Sequence, residues 1–79
     1  MKTYPIVLVT WEDAKSTDDW TKVDDLDFSP VICETVGYLL KDGEVVIVAS
    51  TVGVDNDGDV DTCCVMHIPR CCVKDVKTL

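Results

Sequence analysis

Apolar residues fall in short runs separated by acidic or Gly- and Pro-containing stretches. Tyr4 to Trp11 is the first run, rich in β-branched residues and ended by Glu12-Asp13, and it predicts a strand. Pro5 suits its start, because a residue without an N–H belongs at a strand end or edge. Val31 to Lys41 and Glu44 to Val52 flank Asp42-Gly43, a two-residue turn signal, and together predict a long hairpin. In that register Lys41 faces Glu44, Leu40 faces Val45, Tyr38 faces Ile47, Val36 faces Ala49 and Thr35 faces Ser50, so polar ends and apolar centres match. Thr62 to Ile68 predicts a fourth strand and Cys71 to Val76 a fifth. Pro69-Arg70 breaks the chain between them, since proline cannot continue a ladder.

Two polar connections remain. In the first, from Asp13 to Pro30, Trp20, Val23 and Leu26 recur at three-residue spacing and would share one side of a short helix. Ser16 or Thr17 would cap it, with Asp18 and Asp19 in the first turn. The alternative is a loop pinned by Trp20 and Phe28, because Asp and β-branched residues are poor helix formers. The second connection, Gly53 to Asp61, reads as a solvated turn. Its Asp-rich spacing resembles a calcium loop, but counting from Asp55 puts Gly58 at position 4 rather than about 6, and Met66 where the bidentate Glu belongs.

This order of elements predicts a mainly β single domain over residues 1–79. The expected fold is a small five-stranded SH3-like or Sm-like barrel, with one short helix or acidic loop after the first strand. Such an analogy fixes no function. The third strand is apolar on both faces, Val46 and Val48 on one and Val45, Ile47 and Ala49 on the other. Either the sheet curls, or a second subunit covers one face. Val46, Val48, Tyr38 and Leu40 are therefore expected at a homo-oligomer interface.

Charge then narrows the function. The 79 residues hold 15 acids against 7 bases, a formal net charge of −8, with 47% hydrophobic residues. That balance argues against general nucleic-acid binding and against docking on an anionic membrane. Seven acids lie between Glu12 and Asp27, six of them Asp. Ile6 to Val9 is too short for a signal h-region, and no run approaches the roughly 20 apolar residues of a membrane span. A cytoplasmic location with reduced thiols is expected, and the odd count of 5 cysteines fits it.

Three constellations are candidates for chemistry. The first is Cys63-Cys64-Val65-Met66-His67 followed by Cys71-Cys72. It suggests zinc on Cys63, His67 and Cys71 or Cys72, but adjacent cysteines on a strand point to opposite faces, so both cannot readily reach one metal. Small buried hydrophobes are the plainer reading of these thiols. A Cys–His67 nucleophile pair lacks an electropositive setting, so no enzyme activity and no cofactor are expected. The second is Arg70, the only arginine, placed after Pro69 and suited to bidentate recognition of phosphate or carboxylate. With His67 and Lys74 it forms a candidate anion site; the competing reading pairs it with one of the many acids. The third is the acidic segment itself, as a solvated face or as a mimic of a phosphate backbone.

Val9-Thr10-Trp11-Glu12-Asp13, Thr35-Val36-Gly37-Tyr38-Leu39-Leu40 and Ile68-Pro69-Arg70 together resemble a group of small proteins encoded by tailed phages and prophages. The resemblance covers nearly the whole chain and implies a compact β-rich protein acting inside an infected bacterium. It supplies no catalytic residues. It implies a protein that binds and disables something of the host, as do sponges for nucleotide second messengers and acidic DNA mimics. The expected function is therefore sequestration of a small anionic ligand, such as a nucleotide, at Arg70, His67 and Lys74. The alternatives are an acidic inhibitor of a basic host protein and a small zinc-stabilised domain.

Overall fold

The computed structural model describes residues 3–79; Met1 and Lys2, at the head of the stretch read as lacking a leader, lie outside the described residues. The strands are β1 (Ile6–Asp13), β2 (Val31–Asp42), β3 (Val45–Val54), β4 (Val60–Pro69) and β5 (Val73–Thr78). All pairings are antiparallel and the strands form one open sheet in the order β4-β3-β2-β1-β5. The mainly β class and the five strands agree with the sequence pattern. No helix among the described residues is long and apolar enough to cross a membrane.

The core is small. Val7 and Val9 of β1, Val46 and Val48 of β3 and Ile68 of β4 are fully buried together, and Trp11, Leu39, Cys72, Val73 and Val76 pack against them. Val46 and Val48, expected at an interface, are thus occupied inside their own chain and not available to a second subunit. Tyr38 and Leu40 are half-buried.

The hairpin differs in register from expectation. Tyr38 pairs with Ala49 and Leu39 with Val48, while Lys41 pairs with Ile47 and Asp42 with Val46, so Leu40 is an extra residue at a bulge. The ladder at Tyr38 is slipped by two residues from the expected partner Ile47. A two-residue slip keeps Tyr38 and Leu39 on their expected faces, while the bulge at Leu40 makes the slip three at Lys41 and turns Lys41 and Asp42 over. Val45 to Ala49 is apolar at every position, so the local pattern does not distinguish the two registers. A residue near the end of the chain braces the turn. The Arg70 N–H donates to the Glu44 carbonyl at 2.8 Å and Arg70 Nε to the Gly43 carbonyl at 2.8 Å, with the guanidinium paired to Asp42. Both turn carbonyls are thereby held by a residue far along the chain.

Gly37 allows β2 and β3 to close. A Cβ there would sit 2.5 Å from the Ala49 carbonyl oxygen and 2.7 Å from Val48 Cγ1. On the far side of Gly37 the strands part. β2 pairs with β1 from Val31 to Tyr38 but with β3 only from Tyr38 to Asp42, while β3 runs on with β4 to the Val54–Val60 pair. The ends of β3 and β4 form a two-stranded arm, and the 14–30 connection leaves β1 at the same end of the sheet. The radius of gyration is 16.6 Å and the longest extent 57 Å. A compact domain of this length has a radius of about 12 Å, so both projections extend well beyond the core.

The expected helix in the 14–30 connection is absent. Only the 3-10 turn Val23–Asp25 forms, its N-cap is Lys22 with no side-chain cap bond, and neither Ser16 nor Thr17 caps it. Nor is the loop pinned by its aromatics, since Trp20 is wholly exposed and Phe28 is 80% exposed. A three-residue apolar spacing makes a helix only when a surface exists to bury it. The five-strand sheet offers none at that end.

Candidate functional site

The three members of the expected anion site are exposed, but two are engaged. Arg70 begins the 3-10 turn Arg70–Cys72, where the break after Pro69 places its guanidinium against the β2–β3 turn. Lys74 is the bulged residue of β5, skipped between the Thr10–Asp75 and Trp11–Val73 pairs, and its Nζ lies 2.8 Å from Glu12 Oε1. His67 stands on edge strand β4 opposite Ile47. A ligand bound here would have to displace both ion pairs.

The zinc ligands Cys63, His67 and Cys71 are not brought together. Among the described residues, only Asp55, Asp57 and Asp59 form a group of three potential ligands with their donor atoms within 4.8 Å of one another. Those carboxylates belong to the turn at the tip of the arm. Asp55 Oδ1 accepts the N–H groups of Asp57 and Asp59, each at 2.9 Å, and Gly58 takes the left-handed φ of 83° that the turn requires. The acids there close a hairpin, as the turn reading expects.

Cys63, Cys64 and Cys71 are exposed rather than buried as small hydrophobes, and of the cluster only Cys72 is half-buried. The thiols depart from strand geometry at one residue. Cys64 has φ 59°, the only positive φ of a non-glycine residue among those described. It drops out of the ladder between the Ala49–Val65 and Thr51–Cys63 pairs. The kink swings its side chain back onto that of its neighbour, and the two Sγ atoms lie 3.5 Å apart. The expectation that adjacent cysteines face apart therefore fails here, because alternation holds only for extended backbone. Hydrogen bonding to Cys63, together with the charge on that neighbour, pushes the Cys64 thiol up from its ordinary value. Cys72 is pushed up in the same way by Cys71, 3.9 Å away. Among the described residues no hydrogen bond joins His67 to a thiol, so the nucleophile pair is not assembled.

The remaining candidate is the 14–30 loop. Lys15 Nζ lies 3.3 Å from Asp27 Oδ2 and ties its two limbs. The Ser29 N–H and hydroxyl, then Lys15, hold the Asp27 carboxyl down at about 2. Between these anchors the loop displays Trp20, Val23 and Phe28 among Asp18, Asp19, Asp24 and Asp25. Thr17, Asp18, Asp19, Trp20, Thr21 and Leu26 line a hollow of about 350 Å³. The sequence shows the acids and aromatics here, but periodicity assigned Trp20 to a packed face, which hid its exposure. No protein-family model matches the chain, and neither does any curated protein or solved structure.

Proposed function

We propose that the protein is a non-enzymatic binding module whose working surface is the acidic loop 14–30, fitted to a basic patch with an apolar centre on another protein. The full exposure of Trp20 within a cluster of aspartates carries this reading. An indole held in water loses the burial energy that a folded chain normally extracts from it, and aromatic anchors such as tryptophan are the usual energetic centres of interfaces. The Asp55 to Asp61 turn leaves the sheet at the same end, so the two acidic segments share a pole and would attract a basic partner at long range. In the phage setting that the resemblance implies, the partner is a host protein. The strand order, with a 3-10 turn before β5, supports an SH3-like reading of the scaffold.

The test follows Trp20 emission in a Trp11→Phe variant during titration with a peptide alternating lysine and leucine. A saturable blue shift is expected. It should weaken with salt and be lost when Asp18, Asp19, Asp24 and Asp25 are changed to Asn. Equal binding by that neutralised variant would overturn the proposal.

Assembly is a second reading, favoured by an exposed apolar face on the sheet. Ile6, Ile32 and Val36, all well exposed, share the outer face of β1 and β2. That face is where a second copy would sit. Size-exclusion chromatography with light scattering tests it: a dimer disrupted by Val36→Glu is expected, and a monomer at high concentration refutes it.

A further inference from the structure

We propose that Cys63 and Cys64 form a dithiol chelate for a soft, thiophilic trivalent centre, of which an organic arsenical is the chemical type. Both residues are exposed on the projecting arm, and the left-handed kink at Cys64 turns both thiols to one side with 3.5 Å between sulfurs. Three geometries compete for such a pair. A direct disulfide needs sulfurs at about 2.05 Å and normally spans Cα atoms at least about 4.4 Å apart. Neighbouring Cα atoms across a trans peptide are only about 3.8 Å apart, so that ring is strained. A linear two-coordinate ion sets its sulfurs two bond lengths apart, about 4.6 Å if each metal–sulfur bond is about 2.3 Å, which is too wide. A single centre that bends its two sulfur bonds fits the observed gap.

Zinc is disfavoured on ligand number. A structural zinc site needs four donors. Among the described residues no cysteine joins a group of three potential ligands with donor atoms within 4.8 Å of one another. A trivalent arsenical carries its own organic substituent and takes only two sulfurs from the protein. Room for that substituent adjoins the pair. Where β2 and β3 part, a cleft of about 300 Å³ is lined by Thr35, Val48, Ser50, Cys64, Val65 and Met66, mostly apolar in surface and large enough for an aryl ring. The reaction is a condensation without redox change. The arsenic–oxygen double bond of an arsine oxide and two S–H bonds break, two As–S bonds form, and the oxygen leaves with both protons as water.

The experiment uses phenylarsine oxide as the probe and intact mass as the readout. It is done in a Cys71→Ala background, which removes the second close pair while leaving Cys72 packed against the core. One phenylarsenic group per chain is expected, retained in excess glutathione and released by dithiothreitol. Removing one thiol should cut retention against glutathione about a hundredfold, the usual gain from making the second bond intramolecular. Two variants do this: Cys63→Ala, and Cys64→Gly, which accepts the left-handed φ without strain. The proposal is overturned if either variant retains the label as the parent does. It is also overturned if the Cys71→Ala protein binds no arsenic, or if it closes to an internal disulfide in a glutathione buffer and excludes the reagent.

Discussion

Adding one methyl group at Gly37 should weaken the fold measurably. The new Cβ would meet the Ala49 carbonyl oxygen at 2.5 Å, Val48 Cγ1 at 2.7 Å and the Ala49 carbonyl carbon at 3.1 Å. Two of these three atoms are backbone. They belong to the residue paired with Tyr38, so relief requires prising open the short β2–β3 ladder. Forcing a methyl into a filled site costs about 1–3 kcal/mol. The alanine chain has less freedom when unfolded, which offsets about 0.4–1 kcal/mol. A net loss of about 1–2 kcal/mol remains, and for a chain of this size each kcal/mol moves Tm by about 4–8 °C. Thermal unfolding followed by circular dichroism should therefore show Gly37→Ala melting about 5–15 °C lower. Gly53→Ala is the control, because nothing lies within 4 Å of its Cβ position. That variant should melt at or slightly above the parent temperature. Equal Tm values for the two variants would refute the claim that β2–β3 contact depends on the missing side chain.

Arg70→Ala should cost about 1 kcal/mol, the scale of an exposed ion pair with an added backbone bond, and Arg70→Lys should recover only part of the lost Tm because an ammonium lacks the fork that reaches Gly43 and Asp42. Trp11→Phe removes the 3.0 Å bond from Trp11 Nε1 to Thr35 Oγ1 and should lower stability by about 0.5–1.5 kcal/mol in urea titrations, with Thr35→Val giving a similar loss. Asp27, at about 2 in the folded chain against 3.8 unfolded, contributes stability that is present above about pH 4 and is lost as pH falls through 2. Asp27→Asn should flatten the pH dependence of Tm between those values, and an unchanged slope would count against the Ser29 and Lys15 contacts.

Much of the scaffold was legible in residue order. The β-branched runs, the turn residues at 42–43 and 55–59, and the proline break at Pro69 mark five strands and their connections, because these signals act within a few residues. The Arg70 site was half legible: the sequence names the only arginine in a chain rich in acids, but leaves open whether it meets a ligand or its own chain. The 14–30 loop was legible as acidic and aromatic but not as exposed. Periodicity reports which residues would share a face, not whether anything lies opposite that face.

What the sequence determined by itself is therefore local: strand content, turn positions, the acidic bias and its two clusters. What only the tertiary structure decided depends on contacts between distant residues. The hairpin register, with its bulge at Leu40, is one such feature, since Val45 to Ala49 is apolar at every position, and Arg70 braces the turn from far along the chain. The assignment of Val46 and Val48 to the core follows from their packing with Val7 and Val9 of β1 and Ile68 of β4. The opening between β2 and β3 beyond Gly37 arises where the ladder stops, and it leaves both acidic segments projecting from one end. The pairing of Cys63 with Cys64 rests on one left-handed residue within β4. Alternation along an ideal strand assigns these thiols to opposite faces, and the φ of 59° at Cys64 turns them together.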